Sequence, residues 1–182
     1  MHKYRLRKLI LAALFLALGT VLPTLTGQIK EIGDSLLPMH FPVLLCGLLC
    51  GAPYGLTVGL FMPFVRSLTF GMPPLYPNAV WMALELATYG FVIGFLYARA
   101  KKKTLPRLYL CLVCSMLLGR IVWGISKAAL LGIADKTFTV KAFIAGGFVD
   151  ALPGIVLQLV LIPLIMKIVQ KMQKAPSAPE KA

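Results

Sequence analysis

Residues Phe64 to Gly90 read FVRSLTFGMPPLYPNAVWMALELATYG and contain the charges around which the rest of the chain is organised. This stretch joins the end of one apolar run to the start of the next through a proline-rich turn at residues 71–77. Arg66 lies in the first run and Glu85 in the second. An ionised side chain at lipid depth costs roughly 3 kcal/mol or more, so such residues normally face a protein interior, a cavity or a partner. Two charges flanking one short loop therefore predict a site beside that loop.

Composition places the whole chain in a membrane. Hydrophobic residues make up 59% of the 182 residues and charged residues 14%, and the mean hydropathy is +0.84. A soluble domain of this length could not bury so much apolar surface in one core. We therefore predict an all-α integral membrane protein with six transmembrane helices. The candidate spans are residues 8–26, 41–51, 54–71, 78–98, 106–132 and 141–168.

The second candidate span is short. It can cross a hydrocarbon core of about 30 Å only if it extends back through Leu36, Leu37 and Pro38 or lies tilted. The first candidate span also has an alternative interpretation, because Lys3 to Gly19 has the form of a secretory signal peptide. No small-x-small cleavage site follows it and five more apolar runs do, so we interpret it as a span.

The net charge of +13 comes from basic clusters at the ends of the spans, and it does not predict a nucleic-acid partner. The clusters precede the first span, fill the fourth connection and follow the last span. They contain Lys3, Arg5, Arg7, Lys8, Arg99, Lys101, Lys102, Lys103, Arg107, Lys167, Lys171, Lys174 and Lys181. By the positive-inside rule, both termini are cytoplasmic.

Small residues and prolines predict how the helices pack. Gly47, Gly51, Gly55 and Gly59 recur every four residues around Pro53 and favour a tight helical hairpin, and span four has its own small face at Ala83, Ala87, Gly90 and Gly94. Pro63 and Pro153 predict kinks. The stripe Ala13-x-x-x-Ala17 allows close approach of another helix, either within this chain or on another subunit.

The four cysteines form Cys46-x-x-x-Cys50 and Cys111-x-x-Cys114. Such spacings occur in metal and redox sites. Both pairs lie inside apolar helical runs with no histidine nearby, where thiols behave as small hydrophobic groups. We therefore expect packing roles and no disulfide framework.

Charged and aromatic residues of several spans are predicted to meet at similar depth. At 1.5 Å per residue, Glu85 lies about 10 Å below the outer end of span four, and Asp150 lies about 13 Å deep in span six. Arg120, Trp123 and Lys127 share one face of span five at i, i+3 and i+7. The charged residues of the outer half are Arg66, Glu85, Arg120, Lys127 and Asp150. They predict either a ligand site or a closed salt-bridge network.

The excess of cations among these residues predicts the charge of the ligand. Three cations face two anions, and an unpaired buried cation needs a counter-ion, a pKa shift or access to water. Arginine does not readily deprotonate, so we hypothesise that Arg120 and Lys127 hold a carboxylate or similar anionic group, with Trp123 and Tyr76 against the apolar part of the ligand. In the alternatives, Lys127 snorkels to the headgroups and Arg120 pairs fully with Asp150 or Glu85.

Three patterns of the chain resemble a known family. They are LLPMHFPVLLCGLLCGAPYGLTVG, then FGMPPLYPNA, then ELATYGFVIGFLYA, within a similarity that extends from Ala13 to about Met166. Together they resemble the substrate-binding (S) component of energy-coupling factor (ECF) vitamin transporters. The resemblance implies a multi-pass protein of the cell membrane that binds a vitamin or precursor in an outward-facing pocket. It would dock on a membrane coupling subunit driven by two cytoplasmic ATPases and would hold no nucleotide itself.

The resemblance also implies roles for particular residues. Ala13 and Ala17 match the family's contact with the coupling subunit. The expected pocket is formed by residues 33–40 and 73–78 and by the outer halves of helices four to six, and ligand contacts within the family differ by substrate. The candidate ligand-binding residues are His40, Tyr76, Asn78, Glu85, Arg120, Trp123, Lys127 and Asp150. Residues 1–170 would form the substrate-binding membrane domain and 171–182 a disordered cytoplasmic tail.

The chain lacks the short motifs of common enzymes. There is no Gly-x-x-x-x-Gly-Lys-Ser/Thr phosphate loop, no His-Glu-x-x-His and no Gly-x-Ser-x-Gly. We therefore predict no enzyme, no catalytic residue, no cofactor and no metal. The rival hypotheses are an intramembrane enzyme that uses Glu85 or Asp150 as general base with His40 assisting, and a proton-coupled carrier that uses either carboxylate as relay.

Overall fold

The computed structural model describes residues 2–26, 35–133 and 139–174, and all regular structure in these ranges is helical. The α-helices are α1 (His2–Val21), α2 (His40–Cys50), α3 (Ala52–Phe70), α4 (Val80–Arg99), α5 (Leu105–Ile133), α6 (Val140–Ile144) and α7 (Leu152–Lys174). A 3₁₀ segment, Leu22–Thr26, extends α1, and π-helical segments, Leu75–Ala79 and Ala145–Val149, precede α4 and follow α6. The all-α prediction is confirmed.

Within the described ranges, four segments are long and apolar enough to cross a membrane: Tyr4–Thr24, Leu75–Arg99, Leu105–Gly132 and Val140–Met172. They correspond to the predicted first, fourth, fifth and sixth spans. The predicted third span is α3, with 19 residues. The predicted second span is α2, an apolar helix of 11 residues. The structure thus shows a membrane protein with several spans, and the total of six stays a prediction.

Helix α2 is a short helix enclosed by the rest of the bundle. Its 11 residues extend over only about 16 Å. It does not continue backwards through Leu36 to Pro38, because Leu37 has a positive φ of 51° and the helix begins at His40. Nine of its residues are buried, so protein covers almost all of it. Of the two ways in which the second span could cross the membrane, extension through Leu36 to Pro38 is therefore excluded, and tilting stays a prediction.

Helices α2, α3 and α4 approach one another at glycines. A Cβ on Gly55 would lie 2.5 Å from the carbonyl oxygen of Gly90 and 2.8 Å from Cα of Gly47. Gly51 forms the turn between α2 and α3 with a φ of 103°, a conformation that favours glycine. The predicted tight hairpin is confirmed, and it extends to the small face of α4.

The core lies around α2 and α4. Helix α4 packs against α2, α3 and α5, while α1 packs on α2 and α3, and α7 on α5 and α2. The largest fully buried side chains include Leu44, Met62, Leu86, Tyr89 and Ile162. All four cysteines are free thiols, and all but Cys114 are fully buried, which agrees with packing roles.

The predicted sixth span is interrupted near its start. Helix α6 passes into the π-helical segment Ala145–Val149, a turn follows, and α7 begins at Leu152. Pro153 is thus the second residue of a new helix, where its missing N–H removes no intrahelical hydrogen bond. The irregular stretch lies immediately before Pro153, which agrees with the predicted kink at this proline. At the other end, α7 continues to Lys174, four residues into the predicted tail, and residues 175–182 lie outside the described ranges.

Candidate ligand-binding site

One buried carboxylate joins three helices. Glu85 of α4 is 2% exposed, and its Oε1 accepts a hydrogen bond of 2.9 Å from Nη1 of Arg120 on α5. Nε2 of His40, the first residue of α2, lies 3.3 Å from the same oxygen. His40 and Arg120 are 3% and 4% exposed. With Tyr89, these residues form what we call the polar cluster: His40, Glu85, Tyr89 and Arg120.

Local sequence explains how the cluster is positioned. Trp81, Glu85 and Tyr89 follow one another at four-residue intervals, so they share one face of α4. Gly119 of α5 leaves room for the tyrosine, since a Cβ there would lie 2.8 Å from Cε2 of Tyr89. The His40 ring meets the Tyr89 ring edge-on, with the centroids 5.0 Å apart and an interplanar angle of 77°. Packing therefore holds both the imidazole and the carboxylate.

An aromatic layer lies beside the cluster and consists of Trp81, Trp123, Phe143 and Phe148. The Trp123 centroid lies 5.8 Å from Cζ of Arg120 and 4.6 Å from Nζ of Lys127, and the ammonium lies 5.5 Å from the Trp81 ring. Phe143 is 6.0 Å from Trp123 and 5.8 Å from Phe148, between ring centroids. The predicted common face of Arg120, Trp123 and Lys127 is thus observed. The side chains of Arg120 and Lys127 both lie beside the aromatic ring of Trp123.

Several buried polar atoms have no hydrogen-bond partner among the described residues. They are Nε and Nη2 of Arg120, Nδ1 and Nε2 of His40, and Nε2 and Oε1 of Gln158 on α7. The His40 Nε2 is near Glu85 but not aligned for a hydrogen bond. Most buried polar groups in proteins are hydrogen-bonded, and an unpaired one costs free energy. The unpaired atoms of His40 and Arg120 lie on two helices around Glu85 and favour a site that a polar ligand or ordered water completes.

The structure brings together five of the eight candidate ligand-binding residues: His40, Glu85, Arg120, Trp123 and Lys127. Tyr76 is 59% exposed and Asn78 is half-buried, both in the π-helical segment before α4. Asp150 is exposed and follows the π-helical segment after α6. None of the hydrogen bonds or ring contacts within the described ranges joins these three to the polar cluster.

Arg66 belongs to a different part of the molecule. Its Nη1 donates a hydrogen bond of 2.6 Å to the carbonyl oxygen of Thr20, and its guanidinium carbon lies 5.3 Å from the Phe70 ring centroid. Arg66 thus links α3 to α1, whereas Glu85 faces α2 and α5. The prediction that the two charges flanking the proline-rich loop share one site is wrong, because α3 and α4 turn them towards different neighbours.

Sequence reasoning missed Tyr89 and Trp81, and it gave Gln158 no role. For the first two a signal existed: each is four residues from Glu85, and that spacing aligns side chains on a helix. Gln158 is four residues after Gly154, where a Cβ would lie 2.6 Å from the carbonyl oxygen of Ser35. Only the packed structure reveals that contact.

The stripe at Ala13 and Ala17 lies on the exposed face of α1. The opposite face is packed, with Ala12 buried and Gly19 against the side chain of Met62. The stripe therefore does not pack internally within the described part of the chain. The described residues contain no group of three His, Cys, Asp or Glu side chains that could hold a metal ion.

Comparison with known proteins identifies the family. No curated protein and no solved structure matches the chain. Residues 7–166 match the family described as ECF transporter, substrate-specific component. The match covers most of the chain, agrees with its apolar helices, and describes a subunit of a transporter rather than an enzyme. This chain therefore belongs to the family of substrate-specific components of ECF transporters.

Proposed function

We propose that this protein captures a vitamin or related micronutrient at the outer face of the cell membrane and delivers it through a coupling subunit driven by two ATPases. The observation that carries the proposal is the set of unpartnered polar atoms around Glu85 and Arg120, deep inside a chain of a substrate-specific family. A site that needs an additional polar partner is what a binding subunit would hold when empty.

Five residues would contact the ligand from within the bundle: His40, Glu85, Arg120, Trp123 and Lys127. Tyr76, Asn78 and Asp150 would contact the ligand nearer the outer surface, at the entrance of the site. They belong to segments that immediately precede α4 and α7, and Glu85 lies near the start of α4. These segments and the first turns of α4 and α7 would thus form the entrance.

In our proposed orientation, both termini and Lys101 to Lys103 are cytoplasmic, on the basis of the clustered basic residues. A variant with its native cysteines replaced and Lys102→Cys added tests this in intact cells. An impermeant thiol reagent should leave Lys102→Cys unlabelled and label Gly71→Cys. Labelling of Lys102→Cys from outside would reverse the assignment.

The coupling subunit would contact the exposed stripe of α1. Ala13 and Ala17 are small and face away from the core, a surface that allows another membrane helix to approach closely. Ala17→Trp should therefore reduce uptake while the isolated protein still binds its ligand. If uptake and binding fall together, the stripe serves the fold rather than the partner.

The proposed function is tested by purifying the full chain with its membrane partners and reconstituting the complex in liposomes. Accumulation of the co-purified small molecule, identified by mass spectrometry, should require ATP hydrolysis and should stop with a non-hydrolysable ATP analogue. Dissipating the proton gradient with an ionophore should not stop it. Accumulation that needs the proton gradient and no ATP would contradict the proposal and favour a proton-coupled carrier.

A further inference from the structure

We propose that the ligand carries a carboxylate and that this group binds the side-on edge of Arg120, formed by Nε and Nη2. The inference rests on the proposed function, because it specifies what that same site recognises. It starts from the guanidinium group of Arg120, in which Nη1 is hydrogen-bonded and Nε and Nη2 have no partner within the described ranges.

The guanidinium of Arg120 binds the protein through only one of its nitrogen atoms. Nη1 donates to Oε1 of Glu85 at 2.9 Å, while Nε and Nη2 are buried without a partner in the described ranges. In a planar guanidinium, Nε and the Nη on its side carry two parallel N–H bonds. This edge matches the two oxygens of a carboxylate and gives a bidentate, charge-assisted pair. The protein thus holds Arg120 in place through Nη1, and Nε and Nη2 stay available to bind a carboxylate.

The hydrogen bond of Nη1 also explains why this edge is well oriented. Glu85 anchors Nη1 from α4, and the Trp123 ring lies within 5.8 Å of the guanidinium carbon on the same helix. A side chain restrained in this way loses little further freedom when it binds. Preorganisation of this kind is a general source of affinity in binding sites.

The surroundings indicate what is attached to the carboxylate. The Trp123 ring centroid lies 5.8 Å from Cζ of Arg120 and 4.6 Å from Nζ of Lys127, and 6.0 Å from that of Phe143. Small-molecule sites typically combine apolar or aromatic walls with a few oriented polar groups. We therefore assign the carboxylate to a ligand whose neighbouring part is planar or apolar and packs on Trp123.

A phosphate fits the same edge less well. It presents three oxygens and up to two negative charges, and phosphate sites usually supply several backbone N–H groups or a cluster of cations. The unpartnered groups of Arg120 provide one two-donor edge. A carboxylate has two oxygens, and each can accept a hydrogen bond from one of the two donors.

The experiment works with a ligand whose identity is unknown. The purified full chain, freed of bound small molecules, is mixed with fractions of yeast extract separated on an anion exchanger, and thermal stabilisation of the protein is measured. The stabilising activity should come from the retained, anionic fraction. Methyl esterification of that fraction should remove the activity, and phosphatase treatment should leave it. Activity in the unretained fraction, or in no fraction, would overturn the inference, as would activity that survives esterification or is lost only to phosphatase.

A pair of variants assigns the effect to Arg120. Arg120→Lys keeps the charge beside Glu85 but removes the two-donor edge, so affinity for the active compound should fall about tenfold to a hundredfold. Arg66→Lys changes another buried arginine, one that binds the Thr20 carbonyl, and should leave affinity within about twofold. Unchanged affinity in Arg120→Lys would contradict the inference. Because fractionation uses the parent protein, the test survives even if Arg120→Lys does not fold.

The two proposals can fail separately. A neutral ligand that is still imported at the expense of ATP would overturn the carboxylate and leave the proposed function intact. A carboxylate ligand that accumulates without ATP would do the reverse.

Discussion

Two glutamines of α7 differ in whether their side-chain amides are hydrogen-bonded. Nε2 of Gln170 donates to the hydroxyl of Tyr97 at 2.8 Å and so ties α7 to α4. Gln158 is 1% exposed, and neither its amide nitrogen nor its amide oxygen has a partner within the described ranges. A buried amide without a hydrogen bond destabilises the fold, whereas a bonded one contributes modestly to it. The unpaired amide makes Gln158 a candidate for a sixth ligand contact, in addition to the five residues proposed above.

Leucine substitutions at these glutamines should therefore have effects of opposite sign. Gln158→Leu removes an unpaired amide and should raise the Tm of the ligand-free protein by roughly 2 to 12 °C, from about 1–3 kcal/mol. Gln170→Leu removes a hydrogen bond and should lower the Tm by about 2 to 4 °C. Thermal unfolding in detergent measures both.

Ligand affinity completes this comparison. It should weaken in Gln158→Leu and stay close to that of the parent in Gln170→Leu. A lower Tm for Gln158→Leu in the absence of ligand would mean that its amide is already satisfied within the protein, and Gln158 would then have a structural role.

At the scale of the element, the central feature is the close contact of α2, α3 and α4. A Cβ on Gly90 would lie 2.9 Å from Cα of Gly55 and closer still to its carbonyl group. These contacts join backbone to backbone, so no side chain can rotate away to make room. They also set the position of α4, and α4 carries Glu85. The contact between α3 and α4 therefore supports the polar cluster from a distance.

A single methyl group tests this contact. Gly90→Ala should push α3 and α4 apart and lower the Tm by about 2 to 12 °C, since overpacking costs about 1–3 kcal/mol. The matched control is Gly132→Ala, because Gly132 also lies in a helix but a Cβ there meets nothing within 4 Å. Alanine favours a helix over glycine by about 1 kcal/mol, so the control should not lose stability. Equal Tm values for the two variants would contradict the close packing.

The helices were predictable from sequence to different degrees. Long apolar runs indicated α1, α4 and α5, because a span must satisfy its backbone within one helix. The start of α2 was predicted to within one residue, since the candidate span began at 41 and the helix begins at His40. The apolar composition of Leu36 to Pro38 left a longer helix open, and only the backbone turn at Leu37 excludes it. Pro153 indicated a kink in the last span, but the π-helical form of Ala145–Val149 was not predictable, because hydropathy averages over that segment.

At the scale of the whole molecule, the candidate site is assembled from helices that are distant in sequence. Spacing along α5 correctly placed Arg120, Trp123 and Lys127 on one face. It could not decide whether Glu85, Asp150 or a ligand pairs with Arg120, because that choice depends on how α4, α5 and α7 pack. The structure assigns Glu85 to Arg120 and leaves Asp150 exposed. Charge counting alone also grouped Arg66 with the site, although it binds α1.

The central claim is that the polar cluster and aromatic layer are the place where this transporter component holds its ligand. The chain contains two tryptophans, and both lie in that layer: Trp81 and Trp123. Intrinsic tryptophan fluorescence therefore reports on the candidate site alone, and the most direct measurement is a titration of the purified parent protein with its co-purified small molecule. We predict a saturable change in emission with one ligand per chain, smaller in Trp123→Phe, and with the same Kd as calorimetry. Binding detected by calorimetry without any change in tryptophan emission would place the ligand elsewhere and contradict the account.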